Sequence, residues 1–384
     1  MSHLLSSLES HHATYKALRQ RLHTIPETAY EERQTSDIIA QELESYGLEV
    51  HRGLAETGVV GVLRNGSSQR SIGFRADIDA LNIIEQNELP YRSTVTGKMH
   101  ACGHDGHTTM LLMAARPLSE TRSFDGTVVF IFQPAEEIGT GARRMIDEGL
   151  FERFPVDQVY GMHNIPGMPA GQIAVMPGPV MAAGDVFEIT LTARGGHGAM
   201  PHTTPDPILA GCAFVQGVQS LVSRSLNPLE TGVISVTQFN GGVASNIIPN
   251  TVRLRGTVRS HTAETQAMLE AGLRRFAAGT AESYGVQIEV DYQYGFPVTI
   301  NTPNEAKFAY DVLSDLFGTE YVRNDLKPIM GSEDFACMLQ VRPGAYLWIG
   351  NGDSGGLHSS RYDFNDDILT RGAACWVALA EAAL

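Results

Sequence analysis

The amino-acid sequence predicts an α/β domain that is interrupted by a smaller ferredoxin-like domain. Its 384 residues exceed the length at which one hydrophobic core usually stops growing. Apolar strands alternate with amphipathic helices in the first part of the chain, and a β-α-β-β-α-β order follows in the middle. We therefore predict one discontinuous domain over residues 1–183 and 296–384, and an inserted domain over residues 184–295.

The first part of the chain alternates helices and strands. The segment EERQTSDIIAQELESYG places Ile38, Ile39 and Leu43 on one helical face, with Gly47 as its stop. A second helix is predicted over residues 108–115. Strands are predicted from TGVVGVL, SIGFRAD, GTVVFIFQ and VDQVYGMHN. This alternation indicates a largely parallel sheet, whose ligands bind beyond the carboxyl ends of the strands.

The middle of the chain has the order of a split βαβ fold. Its first helix, DPILAGCAFVQGVQSLVSR, begins with Asp206 as N-cap and a proline at the first helical position. The strand TVRLRGTVRS places Val252, Leu254 and Val258 on one face and mainly basic side chains on the other. The remaining elements predicted are DVFEITLTARG, GVISVTQFNGG, AETQAMLEAGLRRFAAGTAESYG and VQIEVDYQYG. Beyond them the chain returns to the first domain with a helix, the strand GAYLWIGNG and a C-terminal helix.

Composition and charge argue against several classes of binding partner. Hydrophobic residues make up 43% and charged residues 18% of the chain, as in folded globular domains. The net charge of −15 repels phosphate backbones, so a nucleic-acid partner is not expected. No apolar run approaches the ~18 residues of a membrane span, and the N-terminal segment lacks a signal-peptide pattern. Four scattered cysteines favour a reducing compartment, so we expect a cytoplasmic location without a membrane partner.

The segment HACGHDGH contains Cys102 and His104 one residue apart. Thiolate and imidazole donors at this spacing can face the same zinc-like metal ion. A buried cysteine beside a surface histidine would give the same pattern, and so would a cysteine nucleophile activated by a histidine. The pair alone leaves these three interpretations open.

Two adjacent carboxylates, Glu136 and Glu137, follow the buried strand GTVVFIFQ. Carboxylates at this spacing repel each other, so one would stay protonated unless a cation is near. Beside a metal ion, one carboxylate can bind the ion while the other accepts and donates protons of the bound water. A solvated acidic turn is the alternative, and the apolar run before the pair weighs against it.

His163 and His358 add two imidazoles, one at the end of an apolar strand and one in the glycine-rich segment GDSGGLHSS. Each histidine by itself is more typical of an ordinary hydrogen-bonded residue. The chain then offers five metal-type donors: Cys102, His104, Glu137, His163 and His358. Five donors suit two ions with a shared ligand better than one tetrahedral zinc. Two ions would polarise a carbonyl and supply a hydroxide, which indicates hydrolysis.

A series of short motifs extends in order over nearly the whole chain: FRADIDAL, MHACGHDGHT, FQPAEE, GMHN, ARGGHGAMPH, NIIPN, GTVRS, GSEDF and LHSS. In these motifs the sequence resembles the aminoacylase/carboxypeptidase family of dinuclear metallohydrolases. The resemblance is to the amidohydrolase branch, which includes hippurate hydrolases, N-acyl-amino-acid amidohydrolases and indole-acetyl-amino-acid hydrolases. It implies a zinc-peptidase-like α/β catalytic domain with an inserted ferredoxin-like lid that forms a homodimer, or a tetramer.

The resemblance also implies a metal centre. Two divalent ions, which would be Zn, Mn, Ni or Co, are implied with Cys102 as the bridging ligand. Glu136 is the implied general base. The implied terminal ligands are His104, Glu137, His163 and His358.

The lid contributes a second implied cluster. His197 matches the histidine that reaches across the dimer in related enzymes and stabilises an oxyanion, and His202 either shares that role or packs. Asn246 and Arg259 match positions that bind the free carboxylate of the substrate, a group that suits the two-pronged guanidinium of arginine. Two other arginines share that strand face, so composition alone does not single out Arg259.

The chain departs from the wider family at two positions. Asp77-Ile78-Asp79 stands where many members have H-x-D, and Cys102 stands where a bridging carboxylate is common. Both departures are typical of the amidohydrolase branch. Asp79 is then expected to orient a ligand rather than to be one. Asp105 and His107 are expected either to orient ligands or to be ordinary loop residues.

The function implied is cleavage of the amide bond of N-acyl-L-amino acids, with hippurate-like or N-acetyl substrates, to a carboxylic acid and a free amino acid. The alternatives are a dipeptidase or carboxypeptidase of the same family, and a non-catalytic metal-dependent ligand-binding protein. A pure binding protein would have no need of Glu136 beside Glu137. The expected partner is a small-molecule N-acyl amino acid.

Overall fold

The computed structural model describes residues 2–384 and divides the chain into two compact units. The first unit comprises residues 1–178, 300–327 and 334–384, and the second comprises residues 179–299 and 328–333. The domain bounds derived from the sequence stay a prediction. None of the described helices is both long enough and apolar enough to cross a membrane.

The first passage through the first unit contains six helices and six strands. The helices are α1 (Ser2–Ser10), α2 (His12–Thr24), α3 (Arg33–Ser45), α4 (His104–Thr121), α5 (Gly141–Asp147) and α6 (Leu150–Arg153). The strands are β1 (Glu49–Leu54), β2 (Gly58–Asn65), β3 (Ser71–Asp77), β4 (Gly126–Gln133), β5 (Gln158–Pro166) and β6 (Ile173–Ala174).

The second unit and the return passage complete the chain. The strands and helices that follow are β7 (Gly178–Met181), β8 (Ala183–Thr192), β9 (Gly196–His197), α7 (Pro207–Ser220), β10 (Gly232–Gly241), β11 (Ile247–Ile248), β12 (Thr251–Ser260), α8 (Ala263–Tyr284) and β13 (Gln287–Phe296). The last elements are β14 (Thr299–Asn301), α9 (Pro303–Phe317), β15 (Val322–Arg323), α10 (Ala336–Leu339), β16 (Gly344–Gly352) and α11 (Leu369–Ala383).

The first unit contains an eight-stranded sheet of order β1-β2-β4-β3-β5-β16-β6-β15. Its central strands β4, β3, β5 and β16 are parallel, and so is the edge pair of β6 and β15. The pairs β1–β2, β2–β4 and β16–β6 are antiparallel, so the sheet is mixed with a parallel centre. Because β3, β4 and β5 are parallel neighbours, the residues that follow them meet at one edge of the sheet.

The core of the first unit lies between this sheet and the helices that cover it. The predicted helical face of Ile38, Ile39 and Leu43 is buried on α3, and Gly47 follows that helix with the positive φ of 76° that favours glycine. Aromatic side chains stack through the core, and the rings of Phe74 and Trp376 have their centroids 5.1 Å apart. This packing holds the strand ends in place.

Two predicted element bounds were wrong around the metal-type residues. Helix α4 begins at His104 rather than at residue 108, because Gly103 turns the chain into the helix with a φ of +93°. Gly106 lies within the helix, where an added Cβ would come 2.2 Å from the ring of Phe364. Strand β5 extends to Pro166, so His163 lies inside it.

The second unit has the four-stranded antiparallel order β10-β12-β8-β13, with helices α7 and α8 on one face. This is the order of a ferredoxin-like fold, as the sequence predicted. The predicted N-cap is confirmed, because the Asp206 carboxylate accepts hydrogen bonds from the backbone of Ile208 at 2.9 Å and Leu209 at 3.3 Å. Along β12, Val252, Leu254 and Val258 are buried.

Candidate metal centre

The five predicted ligands come together at the carboxyl edge of the central strands. In one set, Cys102, His104 and His163 have donor atoms within 4.8 Å of one another, and in another set the same holds for Cys102, Glu137 and His358. Cys102 is common to both sets. The sulfur of Cys102 lies 3.3 Å from Nε2 of His163, and Oε2 of Glu137 lies 3.3 Å from Nε2 of His358.

His104 is oriented by Asp79. Its Nδ1 lies 3.3 Å from Oδ1 of Asp79, and because a carboxylate only accepts, Nδ1 carries the proton. The second oxygen of Asp79 accepts the backbone N–H of Glu137 at 3.0 Å. Asp79 thus connects two of the ligand-bearing segments and leaves the Nε2 lone pair of His104 free for a cation.

His163 is buried, and its Nε2 faces the same group of donor atoms as Cys102 and His104. Its Nδ1 donates to the carbonyl oxygen of Asn164 at 2.6 Å, which fixes the proton on Nδ1. Burial lowers the pKa of His163 well below its usual range, so the ring is neutral. A neutral imidazole with a free nitrogen is the form that binds a metal.

His358 is the exposed member of the group. It lies in the loop that precedes α11 and adopts a φ of +61°, which is uncommon for a residue other than glycine. Its backbone N–H donates to the carbonyl of Ala101 at 2.8 Å. The loop is thereby tied to the segment that carries Cys102, which explains how a residue distant in sequence reaches this edge.

The electrostatics of the centre favour a cation. Burial raises the pKa of the Cys102 thiol well above its usual range, and the neighbouring carboxylates of Glu137 and Glu136 raise it further. Burial alone would lower the pKa of His104, but the nearby carboxylates, first of all Asp77, raise it to about 10. The negative charge of the neighbouring carboxylates thus keeps Cys102 and His104 protonated. A divalent ion bound here would displace these protons. The same raised thiol pKa argues against Cys102 as a nucleophile.

Two buried polar atoms without hydrogen-bond partners indicate that the site fits a metal ion. Nε2 of His104 and Oε1 of Glu137 are buried, have no hydrogen-bond partner among the described residues, and lie 3.9 Å apart. Buried polar atoms without partners are rare in proteins. A mixed set of sulfur, nitrogen and oxygen donors suits Zn and its first-row neighbours. The residues present therefore fit a metal ion.

Glu136 is buried next to these donors, and its carboxylate belongs with His104 and Glu137 to a third set of ligand-type atoms within 4.8 Å. The preceding residue, Ala135, has a φ of +56°. Its backbone N–H donates to the buried carboxylate of Glu32 at 3.0 Å. This hydrogen bond holds the strained turn that presents Glu136, and sequence analysis did not identify Glu32 because nothing in its neighbourhood marks it.

Asp105 and His107, for which the sequence left two interpretations open, are both buried and hydrogen-bonded. Asp105 accepts from Nδ1 of His23 at 2.7 Å, and His107 bonds Asp77 through Nδ1 at 2.6 Å. Burial lowers the pKa of His23, but the charge and hydrogen bond of Asp105 outweigh it and raise the pKa to about 9. His23 is a polar residue of this edge that sequence analysis did not single out.

The four predicted lid residues lie in the second unit. His197 on β9 and Asn246 come together, because Ile247 pairs with His197 and the N–H of Gly198 donates to the carbonyl of Asn246 at 2.7 Å. His202 is exposed in a short helical turn at residues 201–203. Arg259 lies apart from them on β12.

Arg259 differs from the two other arginines on its strand face. Arg253 and Arg255 are exposed, whereas Arg259 is half-buried. Within the described chain it forms no ion pair, and it donates to the carbonyl oxygen of Val258 at 3.0 Å. Burial lowers its pKa. The negative charge of Asp185 offsets this effect only in part. Partial burial without a direct ion pair is the signal that the sequence could not provide.

Comparison with known proteins identifies the family of this chain. Residues 73–382 match the profile of Peptidase family M20/M25/M40, and the chain belongs to this family. It is 39% identical to the hippurate hydrolase of Campylobacter jejuni over 95% of each chain. It is 36% identical to the N-acetylcysteine deacetylase of Bacillus subtilis, covering 94% of this chain and 95% of the relative.

A solved structure shows the same fold. The YXEP protein of Bacillus subtilis, described as a dinuclear metal binding peptidase from the M20 family, superposes with a TM-score of 0.85 and 33% identity. The match covers 97% of this chain and 98% of that one. The protein is accordingly a metal-dependent hydrolase of amide bonds, of the amidohydrolase and metallopeptidase-like class.

Proposed function

We propose that the protein hydrolyses N-acyl-L-amino acids at a centre of two divalent ions, for which Cys102 would be the shared ligand. The observation that carries this proposal is that two sets of donor atoms share Cys102, with the carboxylate of Glu136 beside them. The proposed terminal ligands are His104, Glu137, His163 and His358. Zn, Mn, Co and Ni all suit the donor set. When bound, the ions polarise the amide carbonyl and make water more acidic.

Glu136 acts as the general base and then as the general acid. Its carboxylate takes a proton from the water that adds to the carbonyl carbon of the amide. As the C–N bond breaks, the same carboxyl group gives that proton to the leaving nitrogen, and the products are a carboxylic acid and an amino acid. The buried position of Glu136 supports this role, since a carboxyl group away from bulk water exchanges its proton with the substrate rather than with solvent.

His197 stabilises the oxyanion of the tetrahedral intermediate, acting on the active site of the other subunit of a homodimer. Its Nδ1 accepts the backbone N–H of Ala199 at 3.1 Å, so the neutral ring carries its proton on Nε2. The ring is exposed, and Nε2 is therefore free to donate to an oxyanion. His202 is an accessory residue on the same loop.

Arg259 and Asn246 bind the free carboxylate of the substrate. The guanidinium of Arg259 is half-buried and forms no direct ion pair within the described chain, and the charge of Asp185 offsets its burial only in part, so an incoming carboxylate would supply a direct partner. This preference for a free carboxylate distinguishes N-acyl amino acids from simple amides. A panel of substrates distinguishes among benzoyl, acetyl and indole-acetyl as the acyl group.

The test is a panel of hippurate, N-acetyl amino acids, indole-acetyl amino acids and dipeptides, assayed for released amine with Zn²⁺, Mn²⁺, Co²⁺ or Ni²⁺ in turn. Glu136→Gln should keep its metal and lose ~10²–10⁴-fold in kcat, because the amide cannot take the proton. Glu152→Gln, at an exposed position on α6, is the matched control. Normal turnover by Glu136→Gln would refute the proposed base. Cleavage of dipeptides alone would favour a peptidase, and no release from any substrate would favour a binding protein.

A further inference from the structure

Asn164 lies immediately after His163 on β5, and its side chain is completely buried. Its Nδ2 donates to the carbonyl oxygen of Cys102 at 2.7 Å. The carbonyl oxygen of Asn164 also accepts the Nδ1 proton of His163 at 2.6 Å. One residue therefore contacts two of the segments that carry the proposed ligands.

A third segment reaches the same side chain through Tyr362. The hydroxyl of Tyr362 donates to Oδ1 of Asn164 at 2.8 Å, and the tyrosine is fully buried. Tyr362 belongs to the loop that carries His358, and its backbone N–H donates to Ser359 at 3.0 Å. The amide of Asn164 thus joins β5, the Cys102 loop and the His358 loop, using its donor for one loop and its acceptor for the other.

His107 extends this connection to β3. The backbone N–H of Asn164 donates to Nε2 of His107 at 3.0 Å, so the His107 proton is on Nδ1. That proton faces Oδ1 of Asp77 at 2.6 Å. Asp77 in turn accepts from the guanidinium of Arg75 at 2.7 Å. The loops around Cys102 are therefore fastened to the buried centre of the sheet.

The packing around Asn164 leaves no room for displacement. A Cβ added at Gly103 would come 2.3 Å from Nδ2 of Asn164 and 2.4 Å from the hydroxyl of Tyr362. Glycine is thus required where the Cys102 loop passes over this amide. The carbonyl of Cys102 is thus held by Asn164 one residue before the glycine that turns the chain into α4.

We propose that Asn164 is a positioning residue, which sets the position of Cys102 relative to His163 and His358. It acts through the backbone of Cys102 and through Tyr362, and it contacts neither substrate nor attacking water. The inference rests on the proposed function, because it assigns a role within the proposed metal centre. Loss of the Nδ2 donor would leave the Cys102 carbonyl buried without a partner, and the loop would move to satisfy it.

The test uses Co²⁺ because its absorption reports thiolate coordination without any assay of turnover. Full-length wild type and Asn164→Ala are freed of metal and titrated with Co²⁺, and the affinity and the thiolate-to-cobalt absorption band are measured. The expected result is ~10–100-fold weaker binding and an altered band, as for other residues that orient ligands. Asn301→Ala is the matched control, since Asn301 is equally buried and its side chain bonds Met176 and Tyr346 instead.

Tyr362→Phe is the second variant, because it removes one hydroxyl and keeps the packing. A weaker affinity and an altered band are expected here as well, with a smaller change. Wild-type affinity and band in Asn164→Ala would overturn the inference, and if that variant does not fold, the same result in Tyr362→Phe would overturn it. Cobalt binding through the thiolate without cleavage of any N-acyl amino acid would overturn the proposed function and leave the role of Asn164 standing.

Discussion

The buried carboxyl group of Glu32 makes the stability of the first unit depend on pH. Its Oε1 accepts the backbone N–H of Ala135 at 3.0 Å and its Oε2 accepts the hydroxyl of Thr57 at 2.7 Å. Burial raises the pKa of Glu32 from 4.5 to about 7, because these two hydrogen bonds do not replace the lost hydration of the anion. The perturbation that isolates this effect is Glu32→Gln.

The magnitude follows from the pKa of Glu32 in the folded and unfolded states. One pKa unit corresponds to about 1.4 kcal/mol, so the rise from 4.5 to about 7 is worth about 3 kcal/mol. Below pH 4.5 the carboxyl is protonated in both states, and this stability is fully present. It is lost as pH rises through 7, because ionisation is easier in the unfolded chain. A glutamine at this position can accept from Ala135 and donate to Thr57 at every pH.

The assay is urea unfolding of metal-free protein followed by tryptophan fluorescence. Both tryptophans, Trp348 and Trp376, are buried in the first unit, so the signal reports the unit that contains Glu32. Between pH 4.5 and pH 8, wild type should lose about 3 kcal/mol of unfolding free energy relative to Glu32→Gln. Glu44→Gln, an exposed position on α3, serves as the control. A stability difference between wild type and Glu32→Gln that does not change with pH would refute the reasoning.

Three further predictions concern the metal centre and the lid. Asp79→Asn should weaken metal binding ~10–100-fold in a Co²⁺ titration, since an amide no longer enforces one histidine tautomer; unchanged affinity would contradict this. Gly103→Ala should cost at least about 2 kcal/mol in urea unfolding more than Gly97→Ala, which has a similar φ but no atom within 4 Å of the added Cβ; equal costs would exclude the steric clash. Mixing the inactive variants Glu136→Gln and His197→Ala in equal amounts should restore about a quarter of wild-type activity if the histidine acts across a dimer; no recovery would place it in its own subunit.

The fold could be predicted from sequence where periodicity and capping are local. The face of Ile38, Ile39 and Leu43 and the cap at Asp206 were readable because a helix repeats every 3.6 residues and a cap needs only its neighbours. The start of α4 could not be predicted in this way. Glycines on either side of His104 are typical of a loop, and only the ring of Phe364, packed against position 106, explains why the helix contains one of them.

The donor set of the site was also readable in advance, because thiol, imidazole and carboxylate groups at strand ends are chemically distinctive. The supporting residues were not. Asn164, Glu32 and His23 are ordinary polar residues in the sequence, and their partners lie 62, 103 and 82 residues away along the chain. Such hydrogen bonds depend on which strands become neighbours.

The sequence by itself determined the α/β class, the ferredoxin-like order of the inserted segment and the identities of the metal-type donors. These depend on patterns and chemistry carried by the residues themselves. Only the tertiary structure decided that the side chain of Asn164 donates to the carbonyl of Cys102 and that Arg259 is the half-buried arginine of its face. The physical reason is that burial and hydrogen-bond geometry are properties of the packed chain, in which parallel strands bring distant residues to one edge of the sheet.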